Sequence, residues 1–123
     1  VTRPSPEDDA RRDALALRRV PGVGDVAASR LVDVHAGPAG ALAMAAPADA
    51  AAHRRVASDQ LTAAARAGMW VRWRDEAEYP ARLRELADPP LVVFCRGAAA
   101  AADPPAVAIV GTRQPSAYGL RVA

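Results

Sequence analysis

Lysine and asparagine are absent, and all 16 of the Lys and Arg positions are arginine. A GC-rich genome favours arginine and alanine codons, so this bias says little about partners. A net charge of +2 and a pI near 9.3 are mild signs of a polyanionic partner and no more. Cysteine occurs once, as Cys95, which excludes an internal disulfide and a multi-cysteine metal site and fits a reducing cytoplasm. Aromatic residues make up only 4%, and much of the apolar content is alanine. A core must therefore rest on few large side chains. No apolar run approaches the roughly 20 residues of a membrane span. The start carries Glu7, Asp8 and Asp9 rather than a basic region leading into an apolar run, so no signal peptide is read. Retention in the cytoplasm is the expectation.

What is present is a globular composition, 51% hydrophobic and 24% charged. At 123 residues there is room for one ordinary domain, or a small one and the opening of a second. The chain begins with Val1 and stops just after the first turn of an expected helix, which reads as a fragment or an untrimmed reading frame.

Residues 1–9 are polar, contain proline and lack periodicity, and read as a disordered lead-in. From Ala10 the residues Ala14, Leu15, Leu17 and Val20 share a helix face, with Arg11, Arg12, Arg18 and Arg19 available to the exposed side. Pro21 ends this helix. Val26, Ala27, Arg30, Leu31 and Val34 start a second helical pattern, and Gly37 with Pro38 stops it. A short helix over 40–44 and one from Pro47 toward Arg66 complete a helical region, 10–66. After Gly68 the pattern alternates: Met69, Val71 and Trp73 point one way, Trp70, Arg72 and Arg74 the other. Pro80 sits early in a helix ending near Leu86, and 91–95 forms a second strand. Residues 106–110, Ala-Val-Ala-Ile-Val, read as a third, fully buried parallel strand. Ser116 is a good cap for a helix from Ala117. The fold class is α then α/β, divided at 66/67.

Two segments have chemistry to offer. Pro21-Gly22-Val23-Gly24 between two helices resembles the helix-hairpin-helix pattern, whose glycines bring main-chain N–H groups to a helix N-terminus where a phosphate is held without reading a base. Asp25 opposes that use, since its carboxylate repels a phosphate while favouring the helix end. A β-branched residue at Gly24 is expected to destabilise the hairpin. In the second segment, Gly111 lets an anion approach the backbone, the helix start near Ser116 supplies dipole and N–H groups, and Arg113 can fork onto a phosphate. There is no G-x-G-x-x-G and no P-loop lysine. His35 and His53 have no metal-ligand spacing. Trp70 and Trp73 read as core rather than as base-stacking platforms, and Arg82 and Arg84 beside Glu85 as a solvated helix face.

Tyr79-Pro80, Leu83, Asp88-Pro89-Pro90, the run from Leu91 to Phe94, Gly97, and Val107 to Arg113 with Ser116, Tyr118 and Gly119 together resemble the DprA/Smf (DNA-processing protein A) family in order and spacing. The preceding helices resemble that family's SAM-like N-terminal domain. The resemblance implies a Rossmann-like domain opening at 67–123, with a second glycine-rich loop and further strands beyond Ala123. It implies a non-enzymatic protein without cofactor that binds single-stranded DNA, forms homodimers and loads the RecA recombinase in natural transformation. The implied phosphate site is Gly111, Thr112, Arg113, Ser116 and Gly119, with Ser116 as cap or donor and Tyr118 in packing. The hairpin of Gly22, Val23 and Gly24 either adds a secondary DNA contact or merely packs its two helices, and Tyr79 and Pro80 match positions read as structural. The alternatives are a nucleotide hydrolase of the lysine-decarboxylase-like group, which also has a Gly-x-x-Arg-type loop, and a module that only docks a protein.

Overall fold

The computed structural model describes residues 4–98, 105 and 107–122. Parts of the expected lead-in (1–3), of the loop after Gly97 (99–104), the first residue of the expected third strand (Ala106) and Ala123 lie outside the described residues. Helices come first and a small antiparallel sheet follows.

Helix α1 spans Pro6–Leu17 and so opens ahead of Ala10, inside the stretch read as a lead-in. The reason is a capping box. Ser5 Oγ accepts from the Asp8 N–H at 3.1 Å, and the Asp8 carboxylate accepts from the Ser5 N–H at 3.1 Å. Pro6 costs nothing at the first helical position, and Glu7, Asp8 and Asp9 complement the positive helix end. The Ser5 bonds are the largest cause holding the Asp8 carboxyl below its ordinary value. Ala14, Leu15, Leu17 and Val20 are all buried, as the periodicity requires.

α2 (Asp25–Val34), α3 (Pro38–Ala45) and α4 (Ala50–Arg66) complete the helical layer. α1 packs on α3 and α4, and α2 on α3. The α2–α3 junction is tight. A Cβ on Gly40 would stand 1.9 Å from the His35 carbonyl oxygen, so only glycine fits there.

β1 (Met69–Trp73) pairs antiparallel with β2 (Val92–Arg96), with Trp70 opposite Cys95 and Arg72 opposite Val93. The short helix α5 (Ala81–Arg84) lies in the connection. The alternation assigns the faces correctly: Val71 and Val92 are buried, and Met69 and Trp73 pack against the same core as the helices, together with Leu91. The sheet thus lies on α1 and α4.

The third strand is a correction. Residues 107–110 form no strand, and Val107, Ile109 and Val110 are 88%, 76% and 89% exposed. A parallel strand buried on both faces needs hydrogen-bonded neighbours, and among the described residues the sheet contains only β1 and β2. An apolar, β-branched run specifies readiness to pair but does not supply the partner. Helix α6 (Ala117–Val122) begins where Ser116 places it.

Candidate nucleic-acid interface

The loop from Gly111 to Gly119 is organised by two short side-chain contacts. Thr112 Oγ1 accepts from the Gln114 N–H at 3.2 Å, which folds the loop back on itself around Arg113. Ser116 Oγ accepts from the Gly119 N–H at 3.1 Å, and the Ser116 carbonyl accepts from the Leu120 N–H at 3.1 Å, closing the first turn of α6. Ser116 is therefore a cap, and its hydroxyl proton stays available for donation. The N–H groups of Ala117 and Tyr118 have no partner within the helix by its geometry. A Cβ at Gly111 would meet nothing within 4 Å, whereas one at Gly119 would make ordinary contact with Ser116 Oγ at 3.5 Å. Open backbone at Gly111 is thus available to an approaching anion.

Arg113 is exposed, and among the described residues no carboxylate pairs with it. Arg11, Arg12, Arg18, Arg54, Arg72 and Arg74 all form ion pairs, whereas Arg113, like the exposed Arg19, Arg30, Arg55 and Arg66, forms none among the described residues; what Arg113 adds is its place beside the open backbone at Gly111. Tyr118, expected to pack, is instead 68% exposed.

In the hairpin, Gly22 has φ +81°, the left-handed conformation that the motif requires. Val23 donates its N–H to the Val20 carbonyl at 3.0 Å and packs against the core. Gly24 differs from expectation. It caps α2 in extended backbone, φ −83° and ψ 176°, with open space around its Cβ position, so neither conformation nor packing demands glycine. Asp25 is held by Arg18, Nε to Oδ1 at 2.7 Å, which offsets the repulsion its carboxylate would exert on a phosphate. No hydrogen bond or ion pair among the described residues joins this hairpin to the 111–119 loop.

The residues between these segments form a clasp that sequence reading left as separate motifs. Tyr79 is buried and donates its hydroxyl to the Pro90 carbonyl at 2.6 Å, tying Tyr79-Pro80 to Asp88-Pro89-Pro90. Burial pushes the Tyr79 hydroxyl above its ordinary pKa, with Arg84 and Arg74 pulling the other way. Arg84 is not merely solvated: its guanidinium lies 5.5 Å from the Tyr79 ring centre and donates to the Glu76 carbonyl at 2.6 Å and the Arg74 carbonyl at 3.2 Å. Glu76, placed in a turn by sequence, is a buried carboxylate bound by Arg11 at 2.8 Å and Arg72 at 3.4 Å. Arg11 and Arg12 likewise turn inward to partners rather than to solvent. Arg72 lies only four residues before Glu76, but the shorter contact, with Arg11, comes from 65 positions away on α1 and has no local signal.

Trp73 packs on the core, and Trp70 donates its indole N–H to the Gly97 carbonyl at 2.8 Å with Arg72 5.3 Å from its ring centre. Burial raises the Cys95 thiol pKa, with Arg72 pulling the other way. Among the described residues no cluster of His, Cys, Asp or Glu could hold a metal ion, and no helix is long and apolar enough to cross a membrane.

The loop with its open glycine, unpaired arginine and capped helix and the Tyr79–Pro90 clasp occupy one continuous stretch of the chain. Residues 70–123 match the DNA recombination-mediator protein A family. All the motif residues from Tyr79 to Gly119 on which the DprA/Smf resemblance rests fall within this match, which bears the resemblance out. The match ties this part of the chain to DNA processing in recombination. The helical layer before residue 70, including the Gly22–Gly24 hairpin, lies outside the recombination-mediator match. No curated protein and no solved structure matches the chain.

Proposed function

We propose that the protein binds single-stranded DNA through its sugar-phosphate backbone and delivers it to RecA, without catalysing a reaction and without a cofactor. The observation that carries this reading is Arg113, an exposed guanidinium with no carboxylate partner among the described residues, beside open backbone at Gly111 and the capped start of α6. A guanidinium fork and free main-chain N–H groups suit a phosphate oxygen and are indifferent to the base. On this reading Gly111, Thr112, Arg113, Ser116 and Gly119 hold one phosphate link, and Gly22, Val23 and Gly24 add a weaker contact now that Arg18 offsets Asp25.

The same reading divides the chain by role. The helices over 10–66 form a SAM-like support, and 67–123 opens a Rossmann-like DNA-binding domain. It works in the cytoplasm, as a homodimer, in natural transformation or related DNA processing. The test is a gel-shift comparison of single- and double-stranded oligonucleotides with the full-length protein and its Arg113→Ala variant. The expected result is preference for the single strand and weaker binding by the variant. Equal binding of the two DNA forms, or a variant indistinguishable from the parent, would overturn the reading. Detectable nuclease or nucleotide hydrolysis would favour the hydrolase alternative instead.

A further inference from the structure

We propose that the outward face of α2 docks an amphipathic helix of another protein, one that carries carboxylates beside its apolar stripe. This inference does not depend on the DNA-binding reading. α2 already buries one side, through Ala28, Ser29 and Val32. A helix with one side in the core ordinarily presents polar residues on the other. Here a stripe of the other side is apolar: Val26 and Val34 are 41% and 74% exposed, and with Ala27 and Leu31, which also packs partly on the core, they line a single shallow concavity. The exposed Asp25 and Arg30 border it, and Asp33 is exposed on the same helix.

The spacing identifies the shape of the occupant. Ala27, Arg30, Leu31 and Val34 recur at i, i+3, i+4 and i+7, the ridge against which a second helix packs. Ala27 is small enough for the two axes to approach closely. From Val26 to Val34 the face is about 12 Å long at 1.5 Å per residue, which matches two turns or so of a partner helix.

Charge identifies its chemistry. Arg30 lies in the middle of this face, exposed and without an ion pair among the described residues. The nearest acidic neighbours on α2 are already engaged, Asp25 by Arg18 at 2.7 Å and Asp33 by Arg74 at 2.5 Å. Arg30 is thus free to pair with a carboxylate that the occupant carries beside its apolar stripe. A second copy packed through the same patch about a two-fold axis would set Arg30 against Arg30. A nucleic acid would meet one cation in an apolar field and leave the valines unmatched.

The experiment uses the isotope-labelled full chain and two synthetic helical peptides with identical leucine-alanine stripes, one flanked by glutamate and one by lysine. Amide shifts report the site. The glutamate peptide is expected to shift the amides of residues 26–35 and to bind about tenfold or more tightly than the lysine peptide. Arg30→Glu should reverse that preference, and Val34→Asp should abolish binding of both. Both side chains are exposed, so the variants should fold, and a circular dichroism spectrum checks this. Equal binding of the two peptides, shifts elsewhere on the protein, or an unchanged preference in Arg30→Glu would overturn the proposal. So would self-association removed by Val34→Asp, or an oligonucleotide that shifts these amides more strongly than the peptide.

Discussion

Arg54 grips Asp13 at two points, Nε to Oδ1 at 2.8 Å and Nη2 to Oδ2 at 3.0 Å, and so pins α4 to the buried face of α1. The Asp13 side chain has almost no solvent to turn to, and its other partner is Arg12 at 3.2 Å. Removing Arg54 would leave a desolvated carboxylate with half its compensation. Arg54→Ala should lose about 3 kcal/mol of stability in urea unfolding. Arg54→Lys should recover only part, because an ammonium cannot reproduce the planar fork.

Three glycines should respond to substitution in a definite order. Gly40→Ala drives a methyl group into the His35 carbonyl and should cost about 3 kcal/mol or prevent folding. Gly22→Ala keeps its space but pays for positive φ, about 1 kcal/mol. Gly24→Ala meets neither obstacle and should cost about 0.5 kcal/mol, as a modest loss of cap preference. Melting temperatures in any other order would contradict the described hairpin and junction.

Tyr79 makes stability sensitive to alkali. Its folded pKa is raised chiefly by burial, so the neutral hydroxyl is the form folding prefers. Its contribution is fully present below the ordinary value of 10.0 and is lost as pH rises through the raised folded value. Stability measured from pH 8 upward should therefore decline beyond about pH 10. Tyr79→Phe should start about 1 kcal/mol lower, having lost the bond to Pro90, and should lack that decline.

For Arg113, salt dependence separates a phosphate clamp from a bystander. In the full-length protein, Arg113→Ala should reduce the slope of log K against log salt by about 0.7, the release expected for one single-strand phosphate contact. An affinity change at unchanged slope would point to a conformational role for the residue instead.

Much of the helical layer was legible because α1 repeats its apolar residues at helical spacing and Gly37-Pro38 punctuates α2. The strand faces followed from alternation at Met69, Val71 and Trp73. The early start of α1 was missed: Ser5 standing three residues before Asp8 with proline between marks it, but a polar segment rich in turn formers reads as a loop. The arginine partners were not legible. Arg54 meets Asp13 across 41 positions and Arg11 meets Glu76 across 65, so those pairings exist only once the layers have packed. At the candidate site, Ser116 was readable as a cap from its place before Ala117. The exposure of residues 107–110 and Tyr118 was not, since a sequence shows that a side chain is apolar without showing what will cover it.

The hairpin of β1 and β2 shares its core with α1 and α4, and Arg11 and Arg18 reach across to Glu76 and the Val92 carbonyl. A protease nick or an expression boundary placed at Gly68 would consequently not liberate a ready-made second half. It would strip Val71 and Leu91 of their lid and leave Glu76 without Arg11, yielding two sticky pieces. Where the chain changes character is not where it can be cut.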